Sequence, residues 1–290
     1  MTRRCALVID SGAVLGTGAM QGVTAVPLRI AFDHQVYRDG VDISPEEFYA
    51  RLGAGETPTT STPSPGEYLD AFRASDGERI VCLTIPRKLS AMYESATLAA
   101  RLLAEEGDSR QVDVIDTGQA AAGFGLVARA AAELCAAGAP AAEVLDRVSR
   151  ACAEVRMYGS LRTLRYLARS GRVPSIAAGV SDLLGVRPIF ELRNGDARRL
   201  ALVRGERRVV RDFQRIAAEQ MSTDVPLWLL VFHSGVPEAA ARLREALHQV
   251  LRVARSETIT LTPVMGAYTG PGMTGFAAMP LSASELGGVP

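Results

Sequence analysis

Lysine is all but missing from this chain: Lys88 is the only one, and the rest of the basic charge is arginine. Lys88 stands in no G-x-x-x-x-G-K-[ST] context, which excludes a phosphate-cradling loop of that type. Histidine is nearly as scarce. His34, His233 and His248 lie far apart, and none has a second ligand type at metal spacing, which argues against structural zinc and His-based metal catalysis. The four cysteines, Cys5, Cys82, Cys135 and Cys152, show no C-x-x-C spacing and sit in apolar strand or alanine-rich helix patterns, so they read as reduced core thiols of a cytosolic protein. No metal and no cofactor is expected.

Long apolar runs are absent too. Nothing approaches the ~18 residues of a membrane span. The opening "MTRRCALVIDSG" has an apolar run of about five residues, too short for the core of a signal peptide and right for a buried strand. The chain is therefore expected in the cytoplasm, without stable membrane insertion. A charge excess is also missing: 32 acidic and 32 basic residues balance to zero, so nothing suggests nucleic acid as a partner. The densest basic stretch, "RRVVRDFQR", carries Val209, Val210 and Phe213 and reads as a solvated helix with one buried face. A G-x-S-x-G nucleophile elbow does not occur, and no spacing picks out a Ser-His-Asp triad.

What remains is 290 residues with 48% hydrophobic content, enough for one large domain or two ordinary ones. Strands and helices alternate. "CALVID", "VPLRIAF", "RIVCLTI" and "VDVID" read as strands, "QVYRDGVDI" as a small hairpin or extended arm. Helices follow near 45 and 65, over "SAMYESATLAARLLAEE", over "GQAAAGFGLVARAAAELCAAG" and over "PAAEVLDRVSRACAEV". Short apolar strands alternating with helices predict a parallel sheet covered on both faces. Beyond about 158 the order changes. A helix stops near Gly171, two strands meet at Asn194-Gly195-Asp196, a strong hairpin signal, and "LWLLVFH" and a stretch near 258–264 supply further strands. The expectation is an α/β protein of two domains: a parallel-sheet α/β domain over 1–158, with an extended arm around 24–45, and an α+β domain over 159–290.

Three stretches invite chemistry. "DSGAVLGTGAMQG" is glycine-rich after a strand, but its spacing fails the dinucleotide pattern: Gly16 and Gly18 fit, and position 21 is Gln21. "PTTSTPSPGEY" sets four hydroxyl residues, Thr59 to Thr62, before a helix start built from Ser64, Pro65 and Glu67. The same wording occurs at Ser44, Pro45 and Glu47. A loop anchored at such a cap presents its hydroxyls in a defined direction, although turn-rich loops are often Ser/Thr/Pro-rich for local reasons alone. In "IPRKLSAMYESA", Ser90 stands between a strand and a helix. Its plain role is an N-cap, while the free amides of Ala91 and Met92 make the same turn an anion site. A fourth stretch, "GAYTGPGMTG", packs glycines around Tyr268 and Thr269 and reads as a tight connection to a last strand, "GFAAM".

Taken in order, these stretches resemble the DegV family of bacterial fatty-acid-binding proteins over nearly the whole chain. "VIDSG" is similar to its opening V-x-D-S, "VPLRI" with "YRDGVDISPEEFY" to its arm and first capped helix, and "PTTSTPSPGEY" to its T-S-x-P-S loop. "LSAMYESA" is similar to L-S-G-T-Y-x-S-A, "TLRYLARSGRV" to L-x-Y-L-x-x-G-G-R-I, "LLGVRPIF" to L-L-x-I-K-P-I, and "YTGPGMTGF" to H-x-G-P-G. The resemblance implies an α/β domain followed by an α+β domain, and no catalytic residue. It implies one long-chain fatty acid, its tail in a tunnel and its carboxyl group held between the domains, presented to a separate kinase that makes an acyl phosphate. The family's hydroxyl ligands fall on Thr60 and Ser90, with Ser61, Tyr268, Ala91 and Met92 beside them. Arg169 and Arg172 flank the "SG" turn; exposed arginines there suit a partner surface carrying acidic residues, and the plainer reading is that both cap the C-terminal end of the preceding helix. Three departures stand out: Pro86-Arg87 replace paired serines, Ala91-Met92 replace Gly-Thr, and Tyr268 replaces histidine. The reading set against a lipid carrier is an enzyme acting on a small acidic substrate in the same cleft.

Overall fold

The computed structural model describes residues 4–15, 22–173, 185–222, 224–282 and 285. The glycine-rich turn at 16–21 and the Leu183-Leu184 pair lie outside the described residues.

The first half builds a four-stranded parallel sheet in the order β2 (Val23–Val26), β1 (Ala6–Asp10), β6 (Arg79–Thr84), β7 (Gln111–Asp116). All of β1 is buried, as a strand covered on both faces requires. The segment 26–32, expected as one strand, is two. Pro27 has no amide to donate, so the chain turns there and β3 (Arg29–Phe32) leaves the parallel sheet. It centres a small antiparallel sheet between β4 (Gln35–Arg38) and β5 (Thr59–Ser61). Helices α1 (Pro45–Gly53) and α2 (Pro65–Ala74) begin where their caps predict: Ser44 accepts from the Glu47 amide, and Ser64 and Glu67 form a reciprocal capping box.

The second half is a six-stranded mixed sheet in the order β10 (Asp196–Arg204), β9 (Val186–Arg193), β8 (Arg156–Ser160), β13 (Thr274–Pro280), β11 (Leu227–His233), β12 (Val253–Thr260). Asn194 and Gly195 turn the β9–β10 hairpin with φ of 52° and 75°, the left-handed pair that Asn-Gly favours. The boundary expected near 158 falls inside β8, which pairs with β13 and β9.

Five layers result. Helices α2 and α3 (Met92–Glu105) cover one face of the parallel sheet. Helices α4 (Ala121–Ala136) and α5 (Ala141–Glu154) lie between the two sheets, touching β1 or β6 on one side and β13 on the other. Helices α7 (Glu206–Gln220) and α8 (Pro237–His248) cover the outer face of the mixed sheet; the short α6 (Arg165–Ser170) packs on α9 (Pro263–Thr269). The middle position explains why α4 has almost no polar side: Ala121 through Ala132 are all buried. Its Arg129 is the exception, with one terminal nitrogen on Glu257 and the other on the Leu15 carbonyl, at 2.6 Å each. Strand β11 divides its side chains between two cores, with Trp228, Leu230 and Phe232 facing α4 and Leu227, Leu229 and Val231 facing α7 and α8.

The strand expected at 258–264 ends at Thr260, because Pro263 opens α9. The stretch 266–273, expected as a plain connection, holds the end of that helix and then a Gly270-Pro271-Gly272 turn. Gly270, at φ 68°, lies against the Tyr166 ring, where a Cβ would collide. Among the described residues no helix is long and apolar enough to cross a membrane.

Candidate functional site

The site forms where the carboxyl ends of β1 and β6 meet the second half of the chain. Strand β5 pairs with β3, setting Thr60 opposite Ile30. Alternation along the strand leaves Thr60 half-buried and turns Thr59 and Ser61 to solvent. The Thr60 hydroxyl bonds the Tyr268 hydroxyl on α9, joining the two halves across 208 positions of sequence. Two residues on, the Thr62 hydroxyl lies 3.1 Å from that of Ser90. Ser90 is not the N-cap of α3. Ala91 holds that position with no side-chain bond, because the Pro86–Ser90 turn delays the first helical turn by one residue and leaves the serine hydroxyl free to face Thr62.

Of these residues, Ser90 and Tyr268 line an apolar cavity, with Thr60 and Thr62 bonded to them from outside it. Its non-atom space, adjoining solvent at the mouth included, is about 890 Å³. Ile85, Leu161, Leu192, Val264 and Met273 are typical of its walls, and Ser90, Arg172, Tyr268 and Thr269 are polar groups on it. Thr269 is already engaged, donating to the Met265 carbonyl at 2.9 Å. Arg172 lies beside Tyr268, its guanidinium 5.9 Å from the ring centroid, and donates to the Ser170 carbonyl at 2.8 Å. Arg169 is exposed on the outer side of the same rim.

Two buried carboxyl groups hold this frame. Asp10 accepts from the amides of Gly12 and Ile85 at 2.8 and 2.9 Å. Burial pushes it up to about 7 against the pull of those two amides, with a smaller push from Asp39. Asp39, on the arm, accepts from the Val264 amide at 2.9 Å, and burial raises it to about 6. Asp39 thereby fixes the first turn of α9, the helix that carries Tyr268. The Ser11 hydroxyl accepts from the Leu28 amide at 3.0 Å, so the opening Asp-Ser pair ties the turn together rather than facing the cavity.

Of the residues singled out in the sequence, Thr60, Ser90 and Tyr268 come together with Arg172. Ser61 points away, Ala91 is exposed, and the Met92 side chain is buried in the core under α3. Pro86 packs on Gly195 of the β9–β10 turn, and Arg87 lies over the Tyr93 ring and pairs with Glu94, so both departures from the family pattern are directed away from the hydroxyls. Thr62 was missed. Its signal was present in the alternation of the Thr-Thr-Ser-Thr run, where every second hydroxyl shares a face with Thr60. Among the described residues no group of His, Cys, Asp or Glu is arranged to hold a metal ion.

The described residues thus form an α/β protein of three sheets with an apolar cavity between its halves and hydroxyls near the mouth. The chain belongs to the DegV family: a family model described as "Uncharacterised protein, DegV family" matches residues 4–281. A DegV domain-containing protein of Streptomyces coelicolor is 32% identical over 95% of this chain and 98% of its own length. A Thermus thermophilus DegV family protein, whose structure is described as showing fatty acid binding, is 31% identical, covers 96% of this chain and 100% of its own, and superposes with a TM-score of 0.85. The linoleic-acid-loaded Fatty Acid Kinase (Fak) B3 protein of Streptococcus pneumoniae, 21% identical over 96% of this chain and 100% of its own, shares the fold at a TM-score of 0.84.

Proposed function

We propose that this protein binds one long-chain fatty acid, with its tail in the apolar cavity and its carboxylate at the Thr60, Thr62, Ser90 and Tyr268 hydroxyls. The observation that carries the reading is the pairing of an apolar interior with a cluster of hydroxyls at its mouth. A carboxylate drawn from water needs charge-assisted donors, and hydroxyls beside the open first turn of α3 supply them. The tail supplies the affinity: about fifteen methylenes at ~0.8 kcal/mol each amount to on the order of 12 kcal/mol gross. The headgroup contacts therefore orient more than they hold. Likeness to the Thermus protein supports the same ligand class. In this reading the protein carries the fatty acid rather than transforming it, and residues 1–158 bring most of the headgroup hydroxyls while 159–290 bring most of the tail walls.

The rival, an enzyme for a small acidic substrate, asks for a polar cleft, and the walls here are apolar. Delivery to a separate kinase is the further half of the reading. It is supported by the position of Arg172 and Arg169 on the rim just outside Tyr268, where a partner with acidic side chains would meet them.

Native mass spectrometry of the purified protein tests the core of the proposal. A mass increment of one acyl chain of about 14–18 carbons per protein is expected, the length whose burial reaches on the order of 10 kcal/mol. Delipidated protein that takes up no fatty acid in a direct titration would refute it.

A further inference from the structure

Beside the helices on the outer face of the mixed sheet lies a concavity whose non-atom space, adjoining solvent included, is about 1230 Å³. Arg204 enters it from the end of β10, Arg207, Arg208 and Arg211 from α7, and Arg242 from α8. Five arginines thus meet in a chain whose overall charge balances to zero. No apolar side chain is among the lining residues, and none of them is shared with the apolar cavity. Ala197 of β10 lies on that cavity and Arg204 ends the same strand, roughly 20 Å away by strand rise.

The acids at this place are already engaged. Glu206, also on the wall, pairs with Arg242, and the buried Asp212 accepts from Arg208 at 3.3 Å. Arg204, Arg207 and Arg211 are exposed and have no ion-pair partner among the described residues. Five positive charges against Glu206 and Asp212 leave a local excess of three. Arg207 and Arg211 stand one helical turn apart, a spacing at which like charges destabilise a helix. Elsewhere on α7 the same spacing joins an arginine to an acid, Arg208 with Asp212 and Arg215 with Glu219. The repulsion left in the concavity is relieved by a counter-charge from outside the chain.

We propose that this concavity binds a small soluble anion built of two or more linked phosphoryl groups. Guanidinium forks take phosphoryl oxygens two at a time, and a concave wall of one sign concentrates such anions. Linked phosphoryl groups bring several charges to one concavity, where Arg204, Arg207 and Arg211 stand free, and a lone carboxylate brings one. A protein partner would need an apolar centre to its interface, and no apolar side chain lines this wall. The inference stands apart from the fatty-acid reading, because the two sites have no lining residue in common.

The test titrates the whole protein calorimetrically with inorganic tripolyphosphate, orthophosphate, a hexa-aspartate peptide and phosphatidylglycerol vesicles. Tripolyphosphate should bind at one site per chain, about a hundredfold tighter than orthophosphate, at about tenfold for each phosphoryl group added. Arg207→Gln combined with Arg211→Gln should lower that affinity by about tenfold or more, while the melting temperature and hexadecanoate uptake stay as in the wild type. Arg204→Gln, at the exposed end of β10, should cost about tenfold by itself and gives the same reading should the double variant fold poorly. Arg215→Gln, on the same helix but paired with Glu219, should leave tripolyphosphate binding unchanged. Equal affinity for tripolyphosphate and orthophosphate overturns the inference, as does wild-type tripolyphosphate binding in the Arg207 and Arg211 double variant. Tighter binding of the peptide or of the vesicles than of tripolyphosphate also overturns it, and assigns the arginines to a protein or a lipid surface.

Discussion

At Thr60 a three-residue strand decides which hydroxyl turns inward. Thr59, Thr60 and Ser61 carry the same chemistry, but only Thr60 faces Tyr268. Replacing Thr60 by Val and Ser90 by Ala together should weaken fatty-acid binding by roughly 1–3 kcal/mol, the usual cost of removing hydrogen bonds to a charged group. Binding of the matching fatty alcohol should change far less. Titration of both ligands checks this, and equal loss would assign the hydroxyls to packing. Since Ser90 does not cap α3, the melting temperature should barely move. Asp10 makes a second prediction. Its pKa is raised from 3.8 to about 7 in the fold by burial, so between those values the folded state holds more proton than the unfolded one. Stability contributed through Asp10 is therefore greatest in acid and falls as pH rises through that window. Urea melts at pH 5 and pH 8 should show a smaller stability loss toward pH 8 in Asp10→Asn than in the wild type.

Two glycines separate local from interlayer forces at the scale of the element. Gly125 lies inside α4, where a Cβ would strike the Val14 carbonyl and approach Leu230 on the opposite sheet. Gly53, the last residue of α1, has open space around its Cα. Helix propensity alone favours Ala over Gly by about 1 kcal/mol at an interior position. Gly53→Ala should thus stabilise by a few tenths to about 1 kcal/mol, whereas Gly125→Ala should destabilise by about 1–3 kcal/mol through overpacking. Chemical denaturation of the two variants reads the opposite signs. If Gly125→Ala also stabilises, α4 is not clamped between the sheets in solution. Pro27 and Pro263 act at this scale as well: one breaks an apolar run into strands of two different sheets, the other turns the end of an expected strand into the helix that carries Tyr268.

For the molecule as a whole, the apolar cavity is shared by both halves, and the ties between them differ in weight: a common core and the buried Arg147–Glu285 pair join them most firmly. The Lys88–Asp196 ion pair spans the halves, yet both side chains are more than half exposed, at 58% and 71%, so solvent screening leaves it little weight. The Asp39 bond to α9 and the Thr60–Tyr268 bond lie at the cavity itself. Arg172 belongs to this scale because it lines the inner cavity and the rim together. Arg172→Glu should therefore lower fatty-acid affinity, by about tenfold for a reversed charge near the carboxylate, and should suppress acyl-phosphate formation by the host's kinase even at saturating fatty acid. A phosphorylation assay with lipid binding measured in parallel checks it. Phosphorylation at the wild-type rate, once binding is saturated, would remove Arg172 from the delivery step.

The sequence by itself determined the order of elements, the two capped helix starts, the Asn-Gly hairpin and the family. Each cap or turn is a contract between residues a few positions apart: Ser64 with Glu67, Asn194 with Gly195, Gly171 with the end of α6 at φ 65°. Ordered motifs brought Thr60, Ser90 and Tyr268 to notice for the same reason. Only the tertiary structure decided the rest. It rejected Ser90 as a cap, set Thr62 rather than Ser61 beside Ser90, made α4 and α5 a layer between the parallel and the mixed sheet, and set Arg172 on the cavity wall. Those outcomes depend on which surfaces meet across the fold, and hydroxyls brought together from 208 positions apart leave no mark in the periodicity of either segment.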